Sequence, residues 1–408
     1  MTERVPVGML PALHAGDHRH AGAYTACNKA EVIWSGRPYF RLLEKLLNGA
    51  RETVHLQTYI FGNDATGQQV ADALIRAAQR GVQVYLLTDG YASQHLNGQL
   101  KQRLIAGGVH FRWFEPLFRS RRFYVGRRLH HKVTVVDGRY ALVGGINIGD
   151  RYNDVPGDPA WLDAALYVEG EVCAGLSAIC CKMWNGSYYG RRELPAIVPD
   201  GAFFPSLPPG ERCSVRVRRN DWVGRKAEIW KSYFHMFSQA SKEVIVMCSY
   251  FLPGWRFRQQ MARAVKRGVK VKVIVTGPSD VMLAKSAERY LYRWMLENGI
   301  SVFEYANDVL HAKLALRDGR FMTIGSYNVN NFSAYASIEL NLDVRNRPLV
   351  RAVRQRIETI IDKDCREITE EYCQRSYGVI QKYWQRFAYE IVKVLLYFFT
   401  VRLRRKGR

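Results

Sequence analysis

Residues 129–138 read LHHKVTVVDG and residues 310–319 read LHAKLALRDG. Each stretch holds a histidine, a lysine two positions on, and an aspartate five after the lysine: His130, Lys132 and Asp137, then His311, Lys313 and Asp318. After six intervening residues the pattern resumes, as Gly144-Gly145-x-Asn147 and as Gly325-Ser326-x-Asn328. The second copy shows which histidine matters, because position 131 has become Ala312. His130 is the repeated residue and His131 an incidental neighbour. A lone His-x-Lys with a distant Asp is a weak signal, whereas the full spacing written twice marks a shared site.

The repeat extends upstream. ETVHLQTYIFGNDATGQQVADALIRAAQRGVQVYLLTDG, from Glu52, aligns with KEVIVMCSYFLPGWRFRQQMARAVKRGVKVKVIVTGPSD, from Lys242. Each half reads as strand, loop, helix, strand. The apolar stripe of Ala71, Leu74 and Ala78 predicts a helix over 67–79, and its counterpart falls at 257–266, with Gly81 and Gly268 as C-terminal caps. VQVYLLTD and VKVKVIVT are β-rich runs suited to strands covered by helices. A further helical pattern precedes each half, PYFRLLEKLLNGA and WVGRKAEIWKSYFHMF. The expected fold class is α/β: two pseudo-symmetric lobes with mixed sheets, packed so that the repeated motifs meet at their interface. The segment 194–211, with five prolines, reads as the linker between them. The resulting division is an irregular leader (1–30), a first lobe (31–193), the linker, a second lobe (212–375) and a basic amphipathic tail (376–408).

Residues two apart on a strand share a face, so each histidine projects with its lysine. Two lobes together then gather two histidines, two lysines and two asparagines around one cavity. That inventory suits an oxyanion, most plausibly phosphate, with lysines supplying positive potential and amides completing the hydrogen bonds. One neutral imidazole can attack phosphorus while the opposed one protonates the departing alkoxide and later deprotonates the incoming hydroxyl. No metal or cofactor is required, since the lysines supply the charge. Asp137 and Asp318, in VDG and RDG, either join this site or end their strands.

These motifs resemble the HxKxxxxDxxxxxxGSxN signature of the phospholipase D superfamily, in both halves, over about residues 35–370. The resemblance implies a phosphohistidine intermediate, with His130 as nucleophile and His311 as acid and base, although the repeat itself does not order them. Lys132, Lys313, Asn147, Asn328 and Ser326 would hold phosphate oxygens. Glu339, in SIELNLDV, matches a carboxylate that follows the second motif, and Asp163, in WLDAALYVEG, holds the comparable place after the first. Either can orient a histidine of the opposite half. Gly145 departs from the pattern, which has serine there. Within the superfamily the QTYIF and CSYFLP beginnings, ALIRAAQRGVQVYLLTDGYAS and GGINIGDRYN look like bacterial cardiolipin synthases of the short type without N-terminal spans. Such enzymes move a phosphatidyl group onto the hydroxyl of phosphatidylglycerol and release glycerol. Tyr59, Phe61, Tyr250 and Phe251 would lie near the cleft or pack in the core.

The charge balance fits an anionic partner: sixty Lys and Arg against thirty-seven Asp and Glu give +23. Residues 111–132 interleave Trp113, Phe118, Phe123 and Tyr124 with Arg119, Arg121, Arg122, Arg127 and Arg128, which suits an acidic membrane surface. Single-stranded nucleic acid is the disfavoured alternative. The tail YWQRFAYEIVKVLLYFFTVRLRRKGR is too short in its apolar part to span a bilayer. Its Trp384 and Phe398 beside Arg404 and Arg405 read as an interfacial anchor; a helix packed on the second lobe is the blander reading. Eight scattered cysteines without CxxC spacing read as reduced and structural, in a reducing compartment. His14, His18 and His20 belong to the irregular leader, which lacks a signal-peptide run. The expected location is peripheral, on the cytoplasmic face of a bacterial inner membrane, against anionic phospholipid. The competing activities are hydrolysis of the phospholipase D type, phosphatidylserine synthesis, nucleic-acid cleavage, and a catalytically inactive membrane scaffold.

Overall fold

The computed structural model describes residues 22–405 apart from 97, 116–126, 187–193, 195–206, 209, 222–223, 225, 331–332, 334–336 and 377, with side chains described as far as residue 395. Most of the expected linker lies outside the described residues, as do Arg119, Arg121 and Arg122. In the first half the elements run β1 (Asn28–Trp34), α1 (Arg37–Gly49), β2 (Thr53–Thr58), α2 (Ala65–Gln79), β3 (Gln83–Asp89), α3 (Gly98–Ala106), β4 (His110–Phe114), β5 (Arg128–Leu129), β6 (Lys132–Val136), β7 (Tyr140–Gly144), β8 (Ala164–Gly170) and α4 (Val172–Asn185). The second half has β9 (Ser214–Asp221), β10 (Lys226–Ala227), α5 (Glu228–Gln239), β11 (Glu243–Cys248), α6 (Trp255–Lys266), β12 (Lys270–Thr276), α7 (Met282–Tyr290), α8 (Tyr292–Glu297), β13 (Ser301–Tyr305), β14 (Lys313–Arg317), β15 (Phe321–Gly325), β16 (Ser337–Arg345), α9 (Arg347–Asp364), β17 (Cys365–Ile368), α10 (Glu370–Ser376) and α11 (Val379–Arg405).

Strand order makes the duplication explicit. The first sheet runs β1-β8-β7-β6-β2-β3-β4, and the second contains the matching series β9-β16-β15-β14-β11-β12-β13. The second adds β10 and β17 at its edges. In both, parallel pairing on one side of β2 or β11 and antiparallel pairing on the other makes the sheet mixed. β1 begins at Asn28, inside the expected leader, because Asn28 is fully buried and its amide bonds Thr25 and Cys213 carbonyls, tying the start of both sheets together.

The sheets pack face to face. Val133, Val143 and Leu166 from the first meet Leu314, Ile324 and Leu340 from the second in one buried cluster, and α4 and α9 extend it with Leu176, Cys180, Val353 and Ile357. Two outer clusters lie under α1–α3 and under α5–α8. Strands buried on both faces explain the near-continuous apolar runs VTVV and LAL. All eight cysteines are free, and Cys173, Cys180, Cys181, Cys213 and Cys248 are buried. Gly81 and Gly268, at φ 92° and 85°, close α2 and α6 as expected of C-terminal glycines.

Asp137 and Asp318 end their strands rather than joining the site. Each takes φ near 50°, followed by Gly138 or Gly319 also at positive φ, so each hairpin turns through an Asp-Gly pair of the type I′ kind. The Asp137 carboxylate accepts the backbone N–H groups of Arg51, Glu52 and Thr53, fastening the hairpin to the start of β2. Asp318 does the same for Ser241, Lys242 and Glu243. Five strand residues put each about 16 Å from its motif lysine, which corrects the expectation of a direct part in the chemistry. Asp137→Ala should lower the unfolding free energy by about 3 kcal/mol, read by urea denaturation, because three backbone donors lose a charged acceptor.

Candidate active site

His130 and Lys132 do not share one regular strand. β5 pairs with β16 of the other sheet, in parallel, Arg128 opposite Ser337 and Leu129 opposite Ile338, before the chain crosses back into its own sheet at β6. The His130 N–H accordingly bonds the Ile338 carbonyl across the interface (3.0 Å). The second half repeats the crossing, with Leu162 bridging Leu310 and the His311 N–H on the Leu162 carbonyl (2.7 Å). Each histidine is therefore delivered to the interface beside the segment that leads into the other half's carboxylate.

Those carboxylates meet the imidazoles. Glu339 Oε2 lies 2.9 Å from His130 Nδ1, and Asp163 Oδ2 lies 2.6 Å from His311 Nδ1. Both carboxylates are fully buried. A carboxylate on Nδ1 holds the proton there and leaves Nε2 as the free nitrogen of each ring. The histidines, with Asn147, Asn328, Tyr59, Tyr152, Trp161 and Tyr250, line one cavity of about 510 Å³. Tyr59 sets its ring edge to His130 at 4.8 Å, and Tyr152 does so to His311 at 5.4 Å. Phe61 and Phe251 belong to the core.

Lys132 and Lys313 are buried under the histidines, each ammonium donating to the carbonyl of its own motif histidine. Burial drives the Lys132 pKa down to about 7, with the Lys313 charge working the same way, and burial lowers that of Lys313 against the opposing pull of Asp163. Burial also lowers His130, against the opposing pull of Glu339, and brings His311 down to about 4. Burial works to raise Glu339, but His130 and Lys132 overcome it and hold the carboxyl below its ordinary range. Burial thus favours neutral imidazoles and leaves Lys132 able to gain positive charge near neutral pH, an arrangement able to receive an anion.

His131 is buried, bonds Gln57 (2.9 Å), and is pushed down to about 3 by burial, so it is a core residue. Asn147 lines the cleft with its oxygen taken by the Ile60 N–H and its amide on the Tyr152 hydroxyl (2.8 Å). Ser326 is not on the cavity wall; its hydroxyl donates to Glu339, which also accepts from Ser337 (2.7 Å). Arg127 bridges Asp221 and Glu115, and Arg128 is buried against Asp89, so Arg128 cannot meet a headgroup as expected. The desolvation of a guanidinium is offset there by a buried carboxylate. Trp384 lies on α11, half exposed; the side chains of Phe398, Arg404 and Arg405 lie outside the described residues. Sequence reasoning missed Tyr152, Trp161, Asp280 and Val392 on the cavity wall; Trp161, two before Asp163, carried the one usable signal.

The glycine at 145 has a physical reason. A Cβ built there would stand 2.4 Å from Asp163 Oδ1, so the carboxylate occupies the space a serine would need. One half uses the longer glutamate with a serine beside it, and the other the shorter aspartate with a glycine.

The model of the family described as "Cardiolipin synthase, PLD-like domain" matches residues 43–158 and 233–361. Cardiolipin synthase B of Escherichia coli (strain K12) is 33% identical over 345 residues, 84% of this chain and 83% of that protein, and cardiolipin synthase B of Shigella flexneri is similar to the same extent. The crystal structure of phosphatidylserine synthase from Haemophilus influenzae Rd KW20 shares the fold at a TM-score of 0.71 and 16% identity, over 92% of this chain and 96% of that one. Two such lobes define an enzyme of the phospholipase D superfamily, in its phosphatidyltransferase class. Within it, the chain belongs to the cardiolipin synthase family with the phospholipase D-like domain.

Two measurements test this geometry. Gly145→Ser should displace Asp163 and misplace His311, lowering kcat on the order of 10²-fold with KM little changed, and Gly145→Ser combined with Asp163→Glu should recover part of the loss. Binding of tungstate, a phosphate mimic, should take up protons at pH 8. Lys132 is mostly neutral there in the free protein, and an adjacent anion raises its pKa. Calorimetry in buffers of different ionisation enthalpy reads that uptake, and Lys132→Gln should remove most of it.

Proposed function

We propose that the protein is a cardiolipin synthase, transferring a phosphatidyl group between two phosphatidylglycerol molecules to give cardiolipin and glycerol. The observation that carries this reading is the pair of imidazoles facing one cavity, each held at Nδ1 by the opposite half's carboxylate. The relatives named cardiolipin synthase B support the choice of donor and acceptor.

In the proposed reaction His130 Nε2 attacks the phosphorus of the first phosphatidylglycerol. A P–N bond forms, the P–O bond to glycerol breaks, and His311 Nε2 gives the alkoxide its proton. His311 begins neutral, and the arriving phosphodiester anion, beside Asp163, opposes the effect of burial and favours its protonated form. Lys132 and Lys313 balance the negative charge that builds on the phosphoryl oxygens, and Asn147 and Asn328 offer amide donors from the wall. Glycerol leaves, and the hydroxyl of a second phosphatidylglycerol takes its place. His311 accepts that proton, the oxygen attacks phosphorus, and the P–N bond breaks to release cardiolipin. Glu339 and Asp163 keep the two Nδ1 protons in place and stabilise each imidazole as it gains positive charge.

The work of this site is set at a membrane surface. Among the described residues no helix is long and apolar enough to cross a membrane. The +23 balance favours an anionic lipid surface, and the proposed association is peripheral, on the cytoplasmic face of a bacterial inner membrane.

Purified protein with radiolabelled phosphatidylglycerol in mixed micelles should yield cardiolipin and glycerol in equal amounts. His130→Ala should abolish both, and His311→Ala should reduce the rate about 10²–10⁴-fold. Phosphatidic acid as the sole product would reassign the protein to hydrolysis. Cleavage of single-stranded nucleic acid without lipid turnover would reassign it to the nucleases.

A further inference from the structure

Helix α11 carries two distinct apolar stripes. Ala388, Tyr389 and Val392, with the buried polar Gln385, recur at three- and four-residue spacing and turn toward the second lobe. Ala388 is fully buried, the Tyr389 ring lies tilted against Tyr290 with centroids 4.9 Å apart, and the Trp384 indole N–H reaches Ser286 on α7 (3.2 Å). Rotated roughly a third of a turn away runs a second series, Ile380, Tyr383, Phe387, Val394 and Leu395, at the same helical spacing. These side chains are between 47% and 87% exposed. A helix packed on a lobe needs only its first stripe, so the second is left without a partner in the fold.

Its position relative to the cavity is the second observation. Val392 on the inner stripe lines the same cavity as His130 and His311, and so does Val281, immediately before α7. Val281 and its neighbour Met282 are themselves 43% and 73% exposed. The outer apolar surface is therefore continuous with the cavity mouth along the α7–α11 seam. Helix α7 is fixed from below, where the buried Lys285 ammonium meets Glu288 and Glu304, and Glu288 in turn accepts the Phe251 N–H. One wall of the mouth is anchored in the core and the other is the helix bearing the exposed stripe. Lys382, Arg386 and Lys393 occupy the remaining face of the helix, with Lys382 next to the buried Gln385.

We propose that this stripe, with Val281 and Met282, is a bilayer-docking surface, and that the phospholipid enters the cavity sideways along the α7–α11 seam, its acyl chains remaining in contact with the bilayer. The proposal rests on the phospholipid substrate proposed above. The occupant is a bilayer containing anionic phospholipid. The chemistry matches: apolar and amphipathic rings reach the acyl boundary, and the +23 balance of the chain favours an anionic surface. A second protein copy on the same stripe would lie across the mouth of the site.

The test compares two presentations of one substrate, phosphatidylglycerol in anionic vesicles and a short-chain phosphatidylglycerol held below its micelle concentration. Wild-type activity on neither would defeat the substrate assignment itself, and the docking surface with it. With the wild type active on both, the Phe387→Glu, Leu395→Glu double variant should lose at least tenfold on vesicles, fail to co-sediment with them, and keep its short-chain rate. Unchanged vesicle binding and turnover would overturn the proposal. So would equal loss on both substrates at an unchanged unfolding temperature, which would put the stripe in the reaction itself. A wild-type dimer made monomeric by the substitutions, with vesicle binding intact, would give the stripe to a second copy and overturn it too. If the double variant unfolds at lower temperature, the same comparison is made with Ile380→Ser, Phe387→Ser, for which the expected and overturning results are the same.

Discussion

Each histidine of the cleft is held by a carboxylate from the other half, and much of the structure follows from that exchange. His130 depends on Glu339 and His311 on Asp163, so neither half contains a complete oriented imidazole. A buried carboxylate without a partner would cost several kcal/mol, which makes the two halves mutually dependent in charge as well as in shape. The crossing strand β5 and the bridge between Leu162 and Leu310 set the register that lets the pairs form. The apolar cluster between the sheets holds that register, because a slip of one residue would turn every inward side chain outward.

The charge inventory is also balanced for binding. Two carboxylates face two lysines, while burial favours the neutral imidazoles. Lys132 sits near its own midpoint at neutral pH. Such a site resists holding a large net charge when empty but can accept protons when a phosphodiester anion arrives. The proposed transfer uses that property twice, once for each oxygen that His311 serves. At Lys132 the stabilising charge is then in part a response to the ligand rather than a standing feature of the empty cleft.

Sequence carried the duplication, the α/β class and the two histidines, because identical spacing in two copies survives without any knowledge of contacts. The His131-to-Ala312 difference separated motif from neighbour, and the helix over 67–79 lies within α2, starting two residues late. What stayed hidden was side-chain pairing. Arg128 sits in an arginine-rich run and reads as surface charge until Asp89, 39 residues away, is seen against it. Ser326 reads as a phosphate ligand until Glu339 claims its hydroxyl. Asp137 and Asp318 share the motif's spacing, yet an Asp-Gly pair after a β-branched run was already a hairpin signal. For Arg128 and Ser326 the deciding fact is a side-chain partner outside the local pattern.

The two halves have diverged where the site meets its surroundings. Gly145 with Asp163 replaces the Ser326 and Glu339 pairing, and both solutions put a carboxylate oxygen within 3 Å of an imidazole Nδ1. The supports are unequal: Glu339 accepts from two serine hydroxyls as well as from His130, whereas Asp163 accepts the Ala164 N–H. The longer carboxylate is thus fixed by neighbouring hydroxyls and the shorter one by the backbone beside it, so the same Nδ1 contact is reached through two different supports.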